Sequence, residues 1–176
     1  MESIILHAKC LLMKKLALAF LMFIVIGAVI SSCIKNTSVV RNTCPPLTIA
    51  APASEVAVLK AYIDSNHIAA TQDSRGFFYT TDFSASTDTT HPTTCSTISV
   101  AYTGTFLNGA VFDSTAPNRP ATLNLSSTIA GWQEAIPLLR AKARMVLYLP
   151  PSLAYGASAY SGIPGNSYLI FKIYLY

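Results

Sequence analysis

Few residues in this 176-residue sequence could make or break a bond. Of its titratable groups, His67 and His91 have no ligand partners at characteristic spacing, and neither Cys44 nor Cys95 lies in a metal-type cluster, so no metal site and no cofactor is expected. The residues that stand out instead are aromatic. Period-two alternation puts Tyr102 and Phe171 on the inward face of their segments, and Phe112, Trp132 and Tyr155 fall in the same C-terminal half. Taken singly, each of these rings reads as plain core. Only if brought together and left open would they form a site, and its chemistry would be that of an apolar pocket.

The elements that must position them follow from local pattern. Ile98, Val100 and Tyr102 alternate with Ser99 and Ala101; Leu123 and Leu125 alternate with Thr122 and Asn124; Leu169, Phe171, Ile173 and Leu175 alternate with Ile170, Lys172 and Tyr174. These predict half-buried antiparallel strands. Short strands are also expected at Val111 to Asp113 and at Met145 to Leu149, the latter stopped by Pro150-Pro151. One short helix, Trp132 to Leu139 with Pro137 in its early turns, lies among them, which gives an α+β fold with the helix packed on the sheet's concave face. Upstream, Ser54 can cap a helix whose Val56, Leu59 and Ile63 share a face, with Val58 and Tyr62 alongside and Asn66 ending it. Phe77, Tyr79 and Phe83 alternate as a further strand, followed by a polar loop from Ser84 to Thr97.

The N-terminus has a different character. Lys14 and Lys15 precede fifteen residues, Leu16 to Ile30, without a charge, and then Ser31-Ser32: a signal peptide, too short to be read first as a membrane-spanning helix. Without this leader nine basic and seven acidic residues remain, a balance of +2 that argues against a nucleic-acid partner. Arg140, Lys142 and Arg144, just after the predicted helix, read as a solvated turn. The segment from Ile34 to about Ser54, rich in Ser, Thr, Asn and Pro, is expected to be an extended linker.

Ile30-Ser31-Ser32-Cys33 resembles the lipobox of bacterial lipoproteins, in which the Cys thiol accepts a diacylglyceryl group before cleavage. The resemblance implies a mature chain that starts at an acylated Cys33 and is held at a lipid bilayer, with a periplasm-facing anchor as the default. Cys44 and Cys95 then remain in an oxidising compartment, either as a disulfide or as two free thiols; spacing alone does not choose. The expected organisation is a removed leader over 1–32, a flexible tether over 33–53, a helix, strand and loop extension over 54–97, and a domain over 98–176.

Four segments of that domain, in order, resemble the FKBP family of peptidyl-prolyl isomerases: Val100-Ala101-Tyr102-Thr103-Gly104 with Gly109 to Ser114; Ile129-Ala130-Gly131-Trp132-Gln133-Glu134-Ala135; Leu149-Pro150-Pro151-Ser152-Leu153-Ala154-Tyr155-Gly156-Ala157; and Ile163 to Phe171. The resemblance implies an antiparallel sheet of five or six strands curled around the short helix, with a pocket for proline-containing polypeptides between them. Carried over position by position, Tyr102, Phe112 and Phe171 would be walls, Trp132 the floor, and Ile129 and Ile163 the rim. Tyr155 and the backbone N–H of Ile129 would donate to substrate carbonyls, and Asp113 would sit at the pocket edge, accepting from Tyr102 or tuning polarity, or else act as a turn residue. The expected function is cis-trans isomerisation of X-Pro bonds in exported proteins; the alternative is a non-catalytic binding module or chaperone that holds proline segments. Macrolide inhibitors typical of the family are conceivable ligands. Ala121 stands where an aromatic wall is common, Lys142 where a turn glycine is usual, Tyr160 replaces another loop residue beside the mouth, and Gly165, where a second proline is common, suggests a looser closing loop.

Overall fold

The computed structural model describes residues 44–176; the leader, the lipobox and Cys33 lie outside the described residues. Helix α1 (Ala53–Ser65) is followed by strands β1 (Thr71–Gln72), β2 (Phe78–Asp82), β3 (Thr97–Phe106), β4 (Val111–Ser114) and β5 (Ala121–Asn124), helix α2 (Ala130–Ala135), and strands β6 (Arg144–Leu149) and β7 (Leu169–Leu175). All seven strands belong to one antiparallel sheet in the order β1-β2-β6-β7-β3-β4, with β5 also paired to β3. The α+β class holds, and the strand count exceeds five or six because the extension adds two strands of its own. Five residues of β2 pair with β6, from Phe78 opposite Tyr148 to Asp82 opposite Arg144, so the sheet continues across residue 97.

Alternation sorts the sheet residues onto two faces. Met145, Leu147 and Leu149 of β6, Phe171, Ile173 and Leu175 of β7, and Val100 of β3 join Trp132, Ala135 and Ile136 of the α2 region in the main core. On the other face Phe78, Tyr148 and Ile170, one from each of three neighbouring strands, pack beneath Leu59 and Ile63 of α1 in a second, smaller core. Val56 and Tyr62 pack alongside, while Val58, on the outer side of the helix, is exposed.

Several local expectations are corrected. Helix α1 starts at Ala53 with Pro52 as its N-cap and no side-chain cap, so Ser54 is inside the first turn; Asn66 does end it. Helix α2 starts two residues before Trp132 and tightens into a 3-10 turn, Ile136–Leu138, placing Pro137 at the end, where its missing N–H breaks the α-helical ladder. Leu125 leaves the strand for another 3-10 turn, Leu125–Ser127, started by Asn124, whose side chain accepts from the Ser126 N–H. Arg140 is more than a solvated cation: its guanidinium lies 4.4 Å from the centroid of the Phe83 ring.

The linker reading fails from Cys44 onward. Cys44 is disulfide-bonded to Cys95. Thr94 donates through Oγ1 to the Pro45 carbonyl, the Ile49 N–H donates to Glu134 Oε1 at 2.9 Å, and the Ala51 N–H to the Arg75 carbonyl at 2.8 Å. A Pro-rich segment without apolar periodicity can still be fixed when its backbone groups find partners in the body it crosses.

Candidate functional site

The expected aromatic residues come from four separate segments and meet on the α2 face of the sheet. Trp132 and Phe171 are buried at 4% and 3% exposure, whereas Tyr102, Phe112 and Tyr155 are only half-buried. Ring centroids of Tyr102 and Trp132 are 5.1 Å apart at 90°, those of Trp132 and Phe171 5.3 Å at 82°, and those of Phe112 and Phe171 5.6 Å at 88°. Edge-to-face contacts suit rings with a negative face and a positive edge. Ile163, 5% exposed, is in the same cluster, and Ile129 packs against it.

Sequence accounts for how each ring is held. Phe112 lies across β3 because position 104 is glycine: a Cβ there would stand 2.5 Å from the Phe112 ring. The β3–β4 register shifts between Gly104 and Thr105, and such an irregularity re-aims the side chains beside it. Trp132 is fixed by the first turn of α2, where Ile129 is the extended N-cap residue. The Ile129 N–H donates to no described residue, as the N–H groups opening a helix do when no cap supplies an acceptor.

Two phenols sit in the site in different states. Tyr102 donates through its hydroxyl to Asp113 Oδ2 at 2.5 Å, which commits it; burial first, and then the bond to Asp113, keep its proton on well above the usual phenol range. Asp113 itself is exposed at the cluster edge. Tyr155 is held up by burial and, less, by the neighbouring Tyr160 and Asp113, with no hydrogen bond contributing. It remains a protonated phenol free to donate. The Trp132 Nε1–H is buried with no acceptor among the described residues.

The loop carrying Tyr155 is tightly built. The Ser152 N–H, in the 3-10 turn Pro151–Leu153, donates to Glu55 Oε2 of α1 at 2.9 Å; the Gly156 N–H donates to the Pro151 carbonyl at 2.9 Å; and the Asn166 N–H donates to the Gly156 carbonyl at 2.8 Å. The loose closing loop expected from Gly165 is not found. A Cβ at that position would lie 2.0 Å from the Ala157 carbonyl oxygen, so glycine permits two backbones to touch where a proline would not fit.

Sequence reasoning missed two acids. Glu55 of the extension accepts the Ser152 N–H of the domain, and Glu134 of the domain accepts the Ile49 N–H of the segment before α1. The Glu134 side chain is wholly buried, 3.9 Å from Arg75 Nε, and burial pushes its carboxyl up, against the opposing pull of Arg75 and the Ile49 N–H. The available signal was an acid set among Gly131, Trp132, Ala135 and Ile136 in a short apolar helix, where a charged residue has no solvent face. A groove of about 560 Å³ lies on the other side of the sheet, bordered by Thr80, Thr103, Arg144, Val146 and Lys172; it shares Tyr102 with the site, but neither Phe112, Trp132, Tyr155 nor Phe171 lines it.

Comparison with known proteins gives one result throughout. The family model described as FKBP-type peptidyl-prolyl cis-trans isomerase matches residues 88–176. The outer membrane protein MIP of Legionella longbeachae is 46% identical over 81 residues, 45% of this chain and 35% of that protein. The peptidyl-prolyl cis-trans isomerase Mip of Coxiella burnetii is 44% identical over 86 residues, 48% of this chain and 37% of that one. The crystal structure of FkpA from Escherichia coli superposes with a TM-score of 0.61 at 29% identity, covering 70% of this chain and 58% of that one. The chain thus spans little more than a third of the length of these curated relatives.

Proposed function

The chain belongs to the FKBP-type peptidyl-prolyl cis-trans isomerases, and from that membership we propose that it catalyses cis-trans exchange at X-Pro bonds of exported polypeptides. The observation that carries the reading is the half-open cluster of Tyr102, Phe112, Trp132 and Phe171, with one committed and one free phenol beside it. In this reading the pyrrolidine ring rests on the Trp132 floor between Tyr102, Phe112 and Phe171, with Ile129 and Ile163 at the rim.

No nucleophile is required. The barrier to be lowered, about 18–20 kcal/mol, arises from resonance across the C–N bond. A water-poor aromatic surface disfavours the charge-separated planar amide relative to the less polar twisted one, and donors fixed on the flanking carbonyls hold the twisted geometry. Tyr155 and the Ile129 N–H fill those two donor roles. Asp113 acts through Tyr102, tethering the phenol oxygen by the hydrogen bond and so restricting the tilt of the ring beside Trp132.

The anchor belongs to the same proposal. Cys33, after an apolar run and two serines, becomes the acylated first residue and holds the domain at a bilayer facing the periplasm. The disulfide supports an oxidising compartment, and one relative carries outer membrane protein in its name. Intact mass of membrane-extracted protein tests this; a mature chain lacking an acylated Cys33 refutes the anchor. A protease-coupled proline-peptide assay tests the activity. The wild type is expected to exceed a Phe112→Ala, Trp132→Leu double variant by at least about a hundredfold, the scale of losing the surface that favours the transition state. Equal rates would leave a binding module that holds proline segments without turning them over.

A further inference from the structure

Tyr155 poses a question that its backbone does not answer. Its loop is bolted at Ser152, Gly156 and Asn166, yet the phenol has no hydrogen bond to orient it. The direction of a donor fixes where a substrate carbonyl can sit, so the ring must be held by packing. The Tyr155 ring packs against the main hydrophobic core. Tyr160 lies against it as well, with ring centroids 4.7 Å apart and planes within 10° of parallel.

The stack is mounted on a purpose-shaped turn. Tyr160 and Ile163 form an isolated antiparallel bridge, exchanging both backbone hydrogen bonds at 2.9 and 2.8 Å. Between them Ser161 and Gly162 have φ of +45° and +85°. Positive φ at both central residues is the signature of a two-residue type I′ hairpin, whose twist locks the flanking residues as a pair. Directly paired residues project to the same side. One of the pair, Ile163, is sunk into the cluster at 5% exposure, and that anchors the other, Tyr160, over Tyr155 although Tyr160 itself is 58% exposed. A large exposed aromatic on a strained turn gains little for stability, so its contact with Tyr155 is the feature that needs a reason.

We propose that Tyr160 is a positioning residue for the reaction: stacked on Tyr155 and locked to Ile163 by the hairpin, it aims the Tyr155 hydroxyl at the substrate carbonyl. This rests on the isomerase reading above and sharpens it. The side chain acts through the face of its ring, so the Tyr160 hydroxyl is dispensable and the aromatic plane is not.

The test is a double-mutant cycle on the full chain, with isomerisation of a proline peptide followed by line-shape or exchange NMR so that no coupled protease is needed. Tyr160→Ala is expected to lower kcat/KM about three- to tenfold, the worth of one aromatic contact. Tyr160→Phe should recover most of that loss. In a Tyr155→Phe background, Tyr160→Ala should cost nothing further, because the hydroxyl it aims is gone. Ring-proton shifts of Tyr155 should move downfield in Tyr160→Ala and stay near wild type in Tyr160→Phe, and unchanged thermal midpoints would show that the fold is intact. An active wild type with Tyr160→Ala equal to it, or with the same loss in both backgrounds, overturns the positioning role alone. A wild type no faster than buffer overturns the isomerase reading, and the proposal with it.

Discussion

The two faces of the sheet are covered by helices of unequal reach, and the difference separates a wall from a site. On one face α1, thirteen residues and about 20 Å long, lays Leu59 and Ile63 over Phe78, Tyr148 and Ile170, leaving them between 0% and 8% exposed. On the other, α2 has six residues, about 9 Å, against strands such as β3 that run ten. So short a helix cannot cover that face. The uncovered part is filled by rings that support one another edge to face and keep Tyr102, Phe112 and Tyr155 half in solvent. Side chains sealed under a long helix give stability; aromatic ones beyond the end of a short helix give an apolar surface a ligand can reach.

That contrast can be broken deliberately. Leu59→Ala should cost about 2–5 kcal/mol of unfolding free energy through lost burial and a cavity, read by denaturant titration, while kcat/KM per folded molecule stays unchanged. Phe112→Ala should do the reverse, removing most activity for a smaller loss of stability. If both variants lost activity in proportion to stability, the two faces would not be separable.

A subtler separation lies in pH. The folded Glu134 carboxyl is raised above its ordinary value near 4.5, so the folded state holds that proton more tightly than the unfolded one. Stability from this group is therefore highest at low pH and is lost as pH rises from about 4.5 through the folded value. Asp73 runs the other way: Arg75 beside it holds its carboxyl low, and that contribution is lost as pH falls below 3.8. Glu134→Gln, which keeps an oxygen for the Ile49 N–H, should be more stable than wild type at neutral pH and lose that advantage as pH falls toward 4.5. Denaturant midpoints across pH 4 to 8 check this; parallel curves would contradict it.

The smallest expected effect is at Lys142. Its φ of +63° is the conformation that glycine adopts freely, in the turn where the Lys142 N–H donates to the Leu175 carbonyl at 2.7 Å. Lys142→Gly should raise stability by up to about 1 kcal/mol, the left-handed penalty less the added unfolded-state entropy, seen as a small rise in thermal midpoint with activity unaltered.

How much of this was legible follows the range of each signal. Strand β7 and the inward set of Tyr102 and Phe171 were readable because alternation is local and strict. The helix bounds were misplaced because Pro137 is tolerated in a 3-10 turn that periodicity does not distinguish from α. The pinned segment from Cys44 to Ala51 was legible only at its first residue, where a Cys44–Cys95 disulfide was one of two alternatives; its other ties lie too far along the chain, Glu134 being 85 residues from Ile49. The Tyr155 stack was missed for a related reason. Tyr160 was noticed only as a departure at the mouth, and nothing in its spacing told that a hairpin would lay it flat on its neighbour.

The bond between Cys44 and Cys95 also has a mechanical meaning. Tension arriving from the chain before Cys44 passes across the sulfurs to a point two residues before β3, a strand flanked by β7 along most of its length. Helix α1 and strands β1 and β2 hang on the loop between and carry none of the load. A domain pulled from its N-terminal side would therefore resist in shear along its longest strand, and reducing the bond would let the same pull peel the extension away first.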